Sequence, residues 1–255
     1  MNPETKSGTL FIGHRGASYD APENTMAAIN LAWDTGADAV EIDIQLSKDN
    51  IIVVFHDDET SRYNGIKKAI AEYTFAELQN IDVGSFKGQQ WSGQLIPTLN
   101  EILESLPAGK TLVIELKSGA DVITGLQALI NKKTFLLPQI IFISFHRQAI
   151  SKIKKIYPQN IALRIYEPEY HPSAQKWLPD ADQMLEEVKE DNLDGLDVSI
   201  CPIVDRDFIE RLNREKLKLA VWTINDEKDA GIYFDNNIFG ITTDRPVWLR
   251  DKMIK

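Results

Sequence analysis

The chain has 255 residues, a formal net charge of −10 and 43% hydrophobic residues, which are ordinary values for a globular protein with a substantial core. The acidic balance argues against binding of nucleic acid, which needs a basic surface, although a bound cation can reverse the potential inside one cleft. The single cysteine, Cys201, excludes an intrachain disulfide and a thiolate-rich zinc site, and we interpret it as a buried or loop thiol.

The first residues, MNPETKSGTLFIG, contain no apolar segment behind basic residues, so we expect no signal peptide. No run in the chain approaches the roughly 18 apolar residues that a membrane-spanning helix needs. We therefore expect a cytoplasmic protein that makes no stable insertion into a membrane.

Short β-branched segments alternate with amphipathic segments along almost the whole chain. The predicted strands are 9–13, 39–46, 111–116, 140–145, 161–165, 195–198, 217–223 and 240–242. The predicted helices are 24–35, 98–106, 120–131, 147–157, 180–191, 205–215, 226–236 and 246–254. This alternation predicts an α/β fold with a parallel sheet and helical crossovers. About eight such units suit a closed (β/α)8 TIM barrel, with a doubly wound open sheet as the alternative.

One interval, between the second strand and the helix at 98–106, holds more chain than a crossover needs. A return strand at 51–56 takes up part of it, and within the remainder, 58–96, only 71–81 has a helical pattern. We interpret 58–96 as an insertion over one face of the barrel, within a single domain that spans residues 1–255. Such an insertion would contribute a lid or pocket wall, or else a disordered flap.

The second predicted strand carries Glu41 and Asp43 on one face, because alternate strand residues point the same way. Two carboxylates among apolar residues are unfavourable unless a cation or a proton lies between them. Glu115 in the third barrel strand would add a third, and three carboxylates without thiolates suit one divalent cation, Mg²⁺ or Ca²⁺. The alternative is that the acids form buried ion pairs with Arg15 and Lys117, whose charges also suit a phosphate.

Two histidines follow predicted strands: His14, beside Arg15, and His56, beside Asp57. If 51–56 returns as a hairpin, His56 comes close to the carboxylates of the second strand. Imidazole accepts and donates protons near neutral pH, so the two histidines suit a general acid and a general base for ester hydrolysis. We expect Asp57 to orient or support the site. The other two histidines, at 146 and 171, are expected to be surface or supporting groups.

The motifs HRG, PENT, EIDIQLSKDN and VVFHD, in this order, resemble those of the glycerophosphodiester phosphodiesterase family. The resemblance continues through GQLIPTLNEIL, IELK, VWTIN and GITTDRP, so it spans nearly the whole chain. It implies a TIM barrel with a small insertion after the second strand. It also implies a small-molecule substrate, a glycerophosphodiester, that is hydrolysed to glycerol 3-phosphate and an alcohol such as choline or ethanolamine.

The resemblance also implies a role for individual residues. The family's metal ligands match Glu41, Asp43 and Glu115, its general acid and base match His14 and His56, its phosphate contacts match Arg15 and Lys117, and a wall of its substrate pocket matches Trp222. Asn24, in PENT, is either a helper near the cation or a helix-start residue. Aromatic residues in the long loop 166–182 either line a pocket for the leaving group or simply pack.

Two rival functions stay open: a lysophospholipase D-type action on lysophospholipids, and a barrel that binds a metabolite without catalysis. The sequence does not determine the preferred alcohol, the native cation or the oligomeric state. It also does not determine which histidine is the acid, or whether water or the glycerol hydroxyl attacks phosphorus.

Overall fold

The computed structural model, which describes residues 8–254, contains every predicted barrel strand. The strands are β1 (Leu10–Gly13), β2 (Ala39–Leu46), β3 (Ile52–Val54), β4 (Thr111–Leu116), β5 (Ile140–Ser144), β6 (Ala162–Tyr166), β7 (Glu169–His171), β8 (Lys176–Leu178), β9 (Gly195–Ser199), β10 (Lys218–Trp222) and β11 (Gly240–Thr243). Eight of them form a closed parallel barrel in the order β1-β2-β4-β5-β6-β9-β10-β11. Since β1 pairs with both β2 and β11, the predicted TIM barrel is confirmed and the open sheet is excluded.

The helices of the crossovers pack outside this barrel. The α-helices are α1 (Met26–Thr35), α2 (Ser61–Asn64), α3 (Phe75–Leu78), α4 (Leu99–Ser105), α5 (Val122–Ile130), α6 (Arg147–Ile156), α7 (Ala181–Glu190), α8 (Arg206–Glu215), α9 (Glu227–Phe234) and α10 (Pro246–Met253). The expected capping box begins α4, where Thr98 accepts from the amide of Glu101 and the Glu101 carboxylate accepts from the amide of Thr98. Local sequence therefore sets where this helix starts.

Apolar side chains fill both faces of the barrel strands. One large cluster lies between the sheet and the helices, and a smaller one, including Ile12, Val113, Ile141 and Leu163, fills the barrel interior. A strand that is buried on both faces has a continuous apolar sequence. The barrel strands are therefore recognisable in the sequence although apolar and polar residues do not alternate along them. Polar residues on the inner face occur toward the carboxyl ends of the strands, where a barrel of this kind carries its site.

The long interval after β2 begins with a hairpin. Antiparallel β3 pairs with β2, with Ile44 opposite Val54, and the chain continues so that the amide of Phe55 donates to the carbonyl of Asp43 at 2.9 Å. The next residue, His56, is thus returned to the carboxyl end of β2. The predicted hairpin forms with this geometry.

The predicted helix at 71–81 is wrong. A 3-10 turn, Ile70–Glu72, and the four-residue α3 occupy that segment instead. Thr74 divides them, because its side chain accepts from the amide of Glu77 and starts a new helix there. Residues of the insertion, including Ile70 and Leu78, share one buried cluster with Val53 of β3. This shared packing supports our proposal that 58–96 is an insertion in a single domain.

None of the helices within residues 8–254 is long and apolar enough to span a bilayer. The cytoplasmic location stays a prediction. Cys201 is half-buried in the loop after β9, and burial raises the pKa of its thiol. This environment agrees with the interpretation of Cys201 as a loop thiol.

Candidate active site

Three buried carboxylates meet at the carboxyl ends of β2 and β4. The parallel register places Asp43 directly beside Glu115, and Glu41 lies two residues earlier on the same face of β2. Their exposed fractions are 4% for Glu41, 1% for Asp43 and 8% for Glu115. One oxygen atom from each lies within 4.8 Å of the others, so the cluster could hold a metal ion.

Burial and the charges of neighbouring groups shift the pKa values of all three carboxyl groups in this cluster. Burial raises the pKa of Glu41 well above its ordinary value, and the charges of Asp43 and Glu115 raise it further. Burial and the charge of Asp43 raise the pKa of Glu115 to about 8. Burial would also raise the pKa of Asp43, but the charges of Arg15 and Lys117 outweigh it and leave that pKa below its usual range. Three oxygen donors with excess negative charge fit a hard divalent cation.

Two cationic side chains border the carboxylates. Arg15 Nε lies 3.3 Å from Asp43 Oδ2, and Lys117 Nζ lies 3.3 Å from Glu115 Oε1 and 3.7 Å from Asp43 Oδ1. Arg15 is also paired with a further acid, since its Nη1 donates to Glu23 Oε1 at 2.8 Å. The ion pairs that the sequence allowed therefore exist, but Arg15 is shared with a fourth carboxylate, and the three-acid cluster stays under-neutralised.

The backbone at Arg15 takes part in this arrangement. Its φ of 54° lies in the left-handed region, which is uncommon for a residue with a Cβ. In this conformation the Arg15 amide donates to Glu41 Oε2 at 3.0 Å. One residue thus contacts Asp43 through its guanidinium and Glu41 through its backbone.

Each of the two predicted catalytic histidines is paired with an aspartate through Nδ1. His14 Nδ1 lies 2.8 Å from Asp244 Oδ1, and His56 Nδ1 lies 2.9 Å from Asp57 Oδ1. A carboxylate at Nδ1 favours the tautomer with its proton there and leaves Nε2 available for proton transfer. Burial lowers the pKa of His56, which keeps its imidazole closer to neutral.

Both histidines and two of the carboxylates line one cavity of about 410 Å³. Arg15 and Lys117 line the cavity beside these acids, and Ile143 of β5 lies next to Glu115. The side formed by β6, β9 and β10 contributes Ile165, Asp197 and Trp222. Phe145 packs edge-on against Trp222, with ring centroids 5.8 Å apart. The cavity therefore combines the charged groups of β1, β2 and β4 with apolar side chains of β5, β6 and β10, which suits a small amphipathic phosphoester.

A family model described as "Glycerophosphoryl diester phosphodiesterase family" matches residues 14–247. This chain belongs to that family. The glycerophosphodiester phosphodiesterase of Caldanaerobacter subterraneus subsp. tengcongensis is 31% identical over 242 residues, which cover 93% of this chain and 95% of that protein. These matches identify the chain as a glycerophosphodiester phosphodiesterase.

Solved structures of the family share the fold. An Oleispira antarctica phosphodiesterase, in complex with the product sn-glycerol-3-phosphate, has a TM-score of 0.77 and 31% identity, with 96% of each chain covered. A glycerophosphodiester phosphodiesterase from Agrobacterium tumefaciens has a TM-score of 0.75 at 22% identity and covers 95% of this chain and 99% of that one. The second likeness concerns the fold alone.

The structure brings the sequence-predicted site residues of this phosphodiesterase together. The residues lining the cavity include His14, Arg15, Glu41, His56, Glu115, Lys117 and Trp222. Asp43 belongs to the carboxylate cluster with Glu41 and Glu115 and contacts Arg15 and Lys117. Their individual chemical roles stay predictions. Asn24 lies beside the carboxylates, because its Nδ2 donates to Asp43 Oδ2 at 2.7 Å, whereas the N-cap of α1 is Thr25.

The aromatic residues of the loop after β6 are not among the described residues that line this cavity. Tyr170 pairs with Trp177 across a β7–β8 hairpin that the sequence did not predict. The Tyr166 hydroxyl donates to Glu187 Oε2 at 2.9 Å, outside the barrel. These contacts agree with the interpretation that the aromatic residues of the loop pack against other parts of the protein and do not line a pocket for the leaving group. His146 and His171 are exposed, and neither is among the residues that line the cavity.

Sequence reasoning missed four acidic residues of the site, and one of them, Glu167, directly follows β6 and lines the cavity. Asp244 and Glu23 lie in the quoted motifs GITTDRP and PENT, and a polar residue directly after the last barrel strand was the available signal for Asp244. Asp197 interrupts the apolar strand β9, which was the signal for that residue. Arg62, in the insertion, also reaches the site: its Nη2 donates to Glu23 Oε1 at 2.7 Å and its Nε lies 2.9 Å from Asp57 Oδ2.

Proposed function

We propose that this phosphodiesterase hydrolyses glycerophosphodiesters in a metal-dependent reaction with His14 and His56 as the general acid and base. The observation that carries the proposal is the pair of carboxylate-bound imidazoles that line the same cavity as the three-carboxylate cluster. A metabolite-binding barrel would have no need for two such oriented imidazoles. The products would be glycerol 3-phosphate and an alcohol.

Glu41, Asp43 and Glu115 would hold one divalent cation, Mg²⁺ or Ca²⁺. When bound, the cation would neutralise charge on the phosphoryl oxygens. Arg15 and Lys117 lie next to this cluster, so they would bind the same phosphate and stabilise the charge that develops on it. Their ion pairs with the acids keep both cationic groups in place before the substrate arrives.

The histidines would act on opposite sides of the phosphorus atom, one on the attacking oxygen and the other on the leaving oxygen. One imidazole would accept a proton at Nε2 from the attacking hydroxyl or water, and the other would donate a proton from Nε2 to the departing alkoxide. Asp57 and Asp244 would hold each ring in orientation through Nδ1. The apolar side chains of Ile165 and Trp222 would exclude water from their part of the cavity.

The printed description of the Oleispira antarctica relative names sn-glycerol-3-phosphate as its product, and this supports the proposed product. The small size of the cavity, about 410 Å³, suits a deacylated diester. We therefore propose glycerophosphodiesters, not lysophospholipids, as the substrate class.

The test is release of choline from glycerophosphocholine by protein stripped of metal and then supplied with Mg²⁺ or Ca²⁺. We expect turnover that needs the cation, and a loss of about 10²- to 10⁴-fold in kcat for His14→Ala and for His56→Ala. His171→Ala is the matched control and should retain activity, because its side chain is exposed on β7.

Absence of choline release under all these conditions, or full activity of both histidine variants, would contradict the proposal. Faster release of choline from lysophosphatidylcholine than from glycerophosphocholine would instead favour the lysophospholipase D-type function. Full turnover after exhaustive chelation would contradict the proposed metal dependence but not the proposed substrate.

A further inference from the structure

Asp197 is a buried acid that the mechanism above does not use. It lies in the middle of β9 with an exposed fraction of 5%, and it lines the same cavity as the two histidines. Its Oδ1 is buried and has no hydrogen-bond partner among residues 8–254. A buried carboxyl oxygen without a partner is unfavourable, so this atom is a candidate for contact with a ligand.

The position of Asp197 sets it apart from the carboxylate cluster. β9 lies four strands away from β2 in either direction around the eight-stranded barrel, so the two strands face each other across the axis. Asp197 is paired with Ile165 on one side and Ala220 on the other. Burial raises its pKa to about 7, and within residues 8–254 no charged neighbour contributes to this shift.

A second unpartnered polar atom lies on the same wall. Trp222 Nε1 is buried without a hydrogen-bond partner in the described part of the chain, and Trp222 also lines the cavity. It lies on β10 two residues after Ala220, the register partner of Asp197. Alternate strand residues share a face, so Trp222 is a diagonal neighbour of Asp197 on the inner surface of the barrel.

These two atoms complement one kind of group. The indole N–H only donates, while the carboxyl oxygen accepts when ionised. A hydroxyl can accept from the first and donate to the second, whereas an ammonium cannot accept and a methyl group can do neither. Glu167 and Thr242 also line the cavity, but Glu167 is exposed to solvent, so Asp197 is the buried acid on this side of the barrel.

We propose that Asp197, assisted by Trp222, binds the terminal hydroxyl of the glycerol moiety and thereby selects glycerol phosphate esters over other phosphodiesters. This inference rests on the proposed function. With the phosphate held at Arg15 and Lys117, the hydroxyl that lies farthest from phosphorus is the one that reaches the opposite wall. Glycerol is also the part that all substrates of the proposed class share, so a fixed, buried group suits it better than the variable alcohol.

The binding test uses two phosphate monoesters that differ by one hydroxyl: sn-glycerol 3-phosphate and 1,2-propanediol 1-phosphate, which lacks the terminal hydroxyl. Calorimetric titration of the wild-type protein with Mg²⁺ present should show about 10- to 100-fold tighter binding of glycerol phosphate, since a buried acceptor is left unpaired by the analogue. Asp197→Leu should lose this preference by weakening glycerol phosphate alone.

Two further variants serve as controls for Asp197→Leu. Asp197→Asn retains a carbonyl acceptor in the same place and should keep most of the preference. Asp207→Leu places the same substitution at an exposed position on α8 and should behave as wild type. Thermal unfolding of each variant checks the fold, and we expect Asp197→Leu to fold, because it removes a buried unpartnered acid.

Equal binding of the two esters by wild type, or equal weakening of both by Asp197→Leu, would overturn the proposal. Either result would assign Asp197 to packing or to a buried water. The outcome is independent of turnover, so a failure of this inference differs from a failure of the proposed function, which would show as absence of choline release.

Discussion

At the scale of single residues, the site depends on acids that act on other side chains. Asp244 accepts from Ser18 and Asn225 and is bound to His14. Burial would raise its pKa, but the hydrogen bonds and the charge of His14 outweigh burial and lower it to about 2. Asp244 is therefore an ionised acceptor throughout the physiological pH range, and its place is fixed before any substrate binds.

Asp244→Asn tests this positioning role. An amide can present N–H to Nδ1, which would move the imidazole proton to Nε2 and spoil proton transfer. We expect kcat for glycerophosphocholine to fall by about 10²-fold with KM nearly unchanged, and the pH profile of kcat to shift. Asp226→Asn, at the N-cap of α9, is the matched control. If both variants lose the same small amount of activity, Asp244 has only a structural role.

At the scale of secondary-structure elements, the β2–β3 hairpin delivers His56, and one buried side chain fixes its end. Gln45 Nε2 donates to the carbonyls of Phe55, His56 and Asp57 at 3.0, 3.2 and 2.9 Å. Glu41 and Asp43 are thus residues of β2 itself, whereas the segment that carries His56 is held in place by the side chain of Gln45, another β2 residue. Arg62 of the insertion adds a contact to Asp57 at 2.9 Å, which ties the insertion to the same histidine.

Gln45→Leu should leave these carbonyls without a donor and loosen the segment that carries His56. We expect a loss of about 1–3 kcal/mol in the free energy of unfolding and a fall in kcat of about tenfold or more. Urea unfolding and choline release measure the two effects.

Gln139→Leu is the control for this variant. Gln139 Nε2 also donates to two loop carbonyls, of Pro107 and Lys110, each at 2.7 Å, but it lies immediately before β5, at the amino end of a barrel strand. It should lose stability while kcat stays at the wild-type value. Equal effects of the two variants on kcat would show that general loosening of the barrel, and not the position of His56, limits activity.

At the scale of the whole molecule, the barrel holds three acids together that would separate in the unfolded chain. Burial raises the pKa values of Glu41 and Glu115 in the folded state, and repulsion from the neighbouring carboxylates raises both further. Folding therefore stores an unfavourable electrostatic energy that a bound cation would relieve. Binding to the folded state alone stabilises a protein by mass action.

Mg²⁺ or Ca²⁺ should accordingly raise the free energy of unfolding, by about 2.7 kcal/mol at a concentration one hundredfold above the dissociation constant. Above the pKa of Glu115, about 8, where its buried carboxylate is ionised, Glu115→Gln should be more stable than wild type without cation, because burial of this charge and its repulsion are relieved, and it should gain little when cation is added. Asp58→Asn changes an exposed acid and should respond to cation as wild type does. Thermal unfolding with and without chelator measures this, and an unchanged wild-type protein would argue against a cation at the cluster.

The order of the eight barrel strands and of the helices between them was predicted from the sequence alone, because apolar segments, caps such as Thr98 and turn residues act over a few positions. Polar residues at strand ends, among them Glu41, Glu115 and His14, were also visible, since they interrupt apolar segments. The prediction of a helix at 71–81 was wrong for an equally local reason, because the preference of Thr74 for the N-cap position outweighed the helical pattern around it.

Tertiary structure alone decided which distant groups meet. Asp244 reaches His14 across 230 positions of the chain, and Asp197 faces the carboxylates only because β1 pairs with β11 and closes the barrel. Periodicity reports which face of an element is apolar, but it carries no information about which strands become opposite walls of one cavity. The sequence thus identified the carboxylates on β2 and β4. The pairing of His14 with Asp244 and the position of Asp197 opposite the carboxylates follow only from closure of the barrel, because these contacts depend on the positions of all eight strands at once.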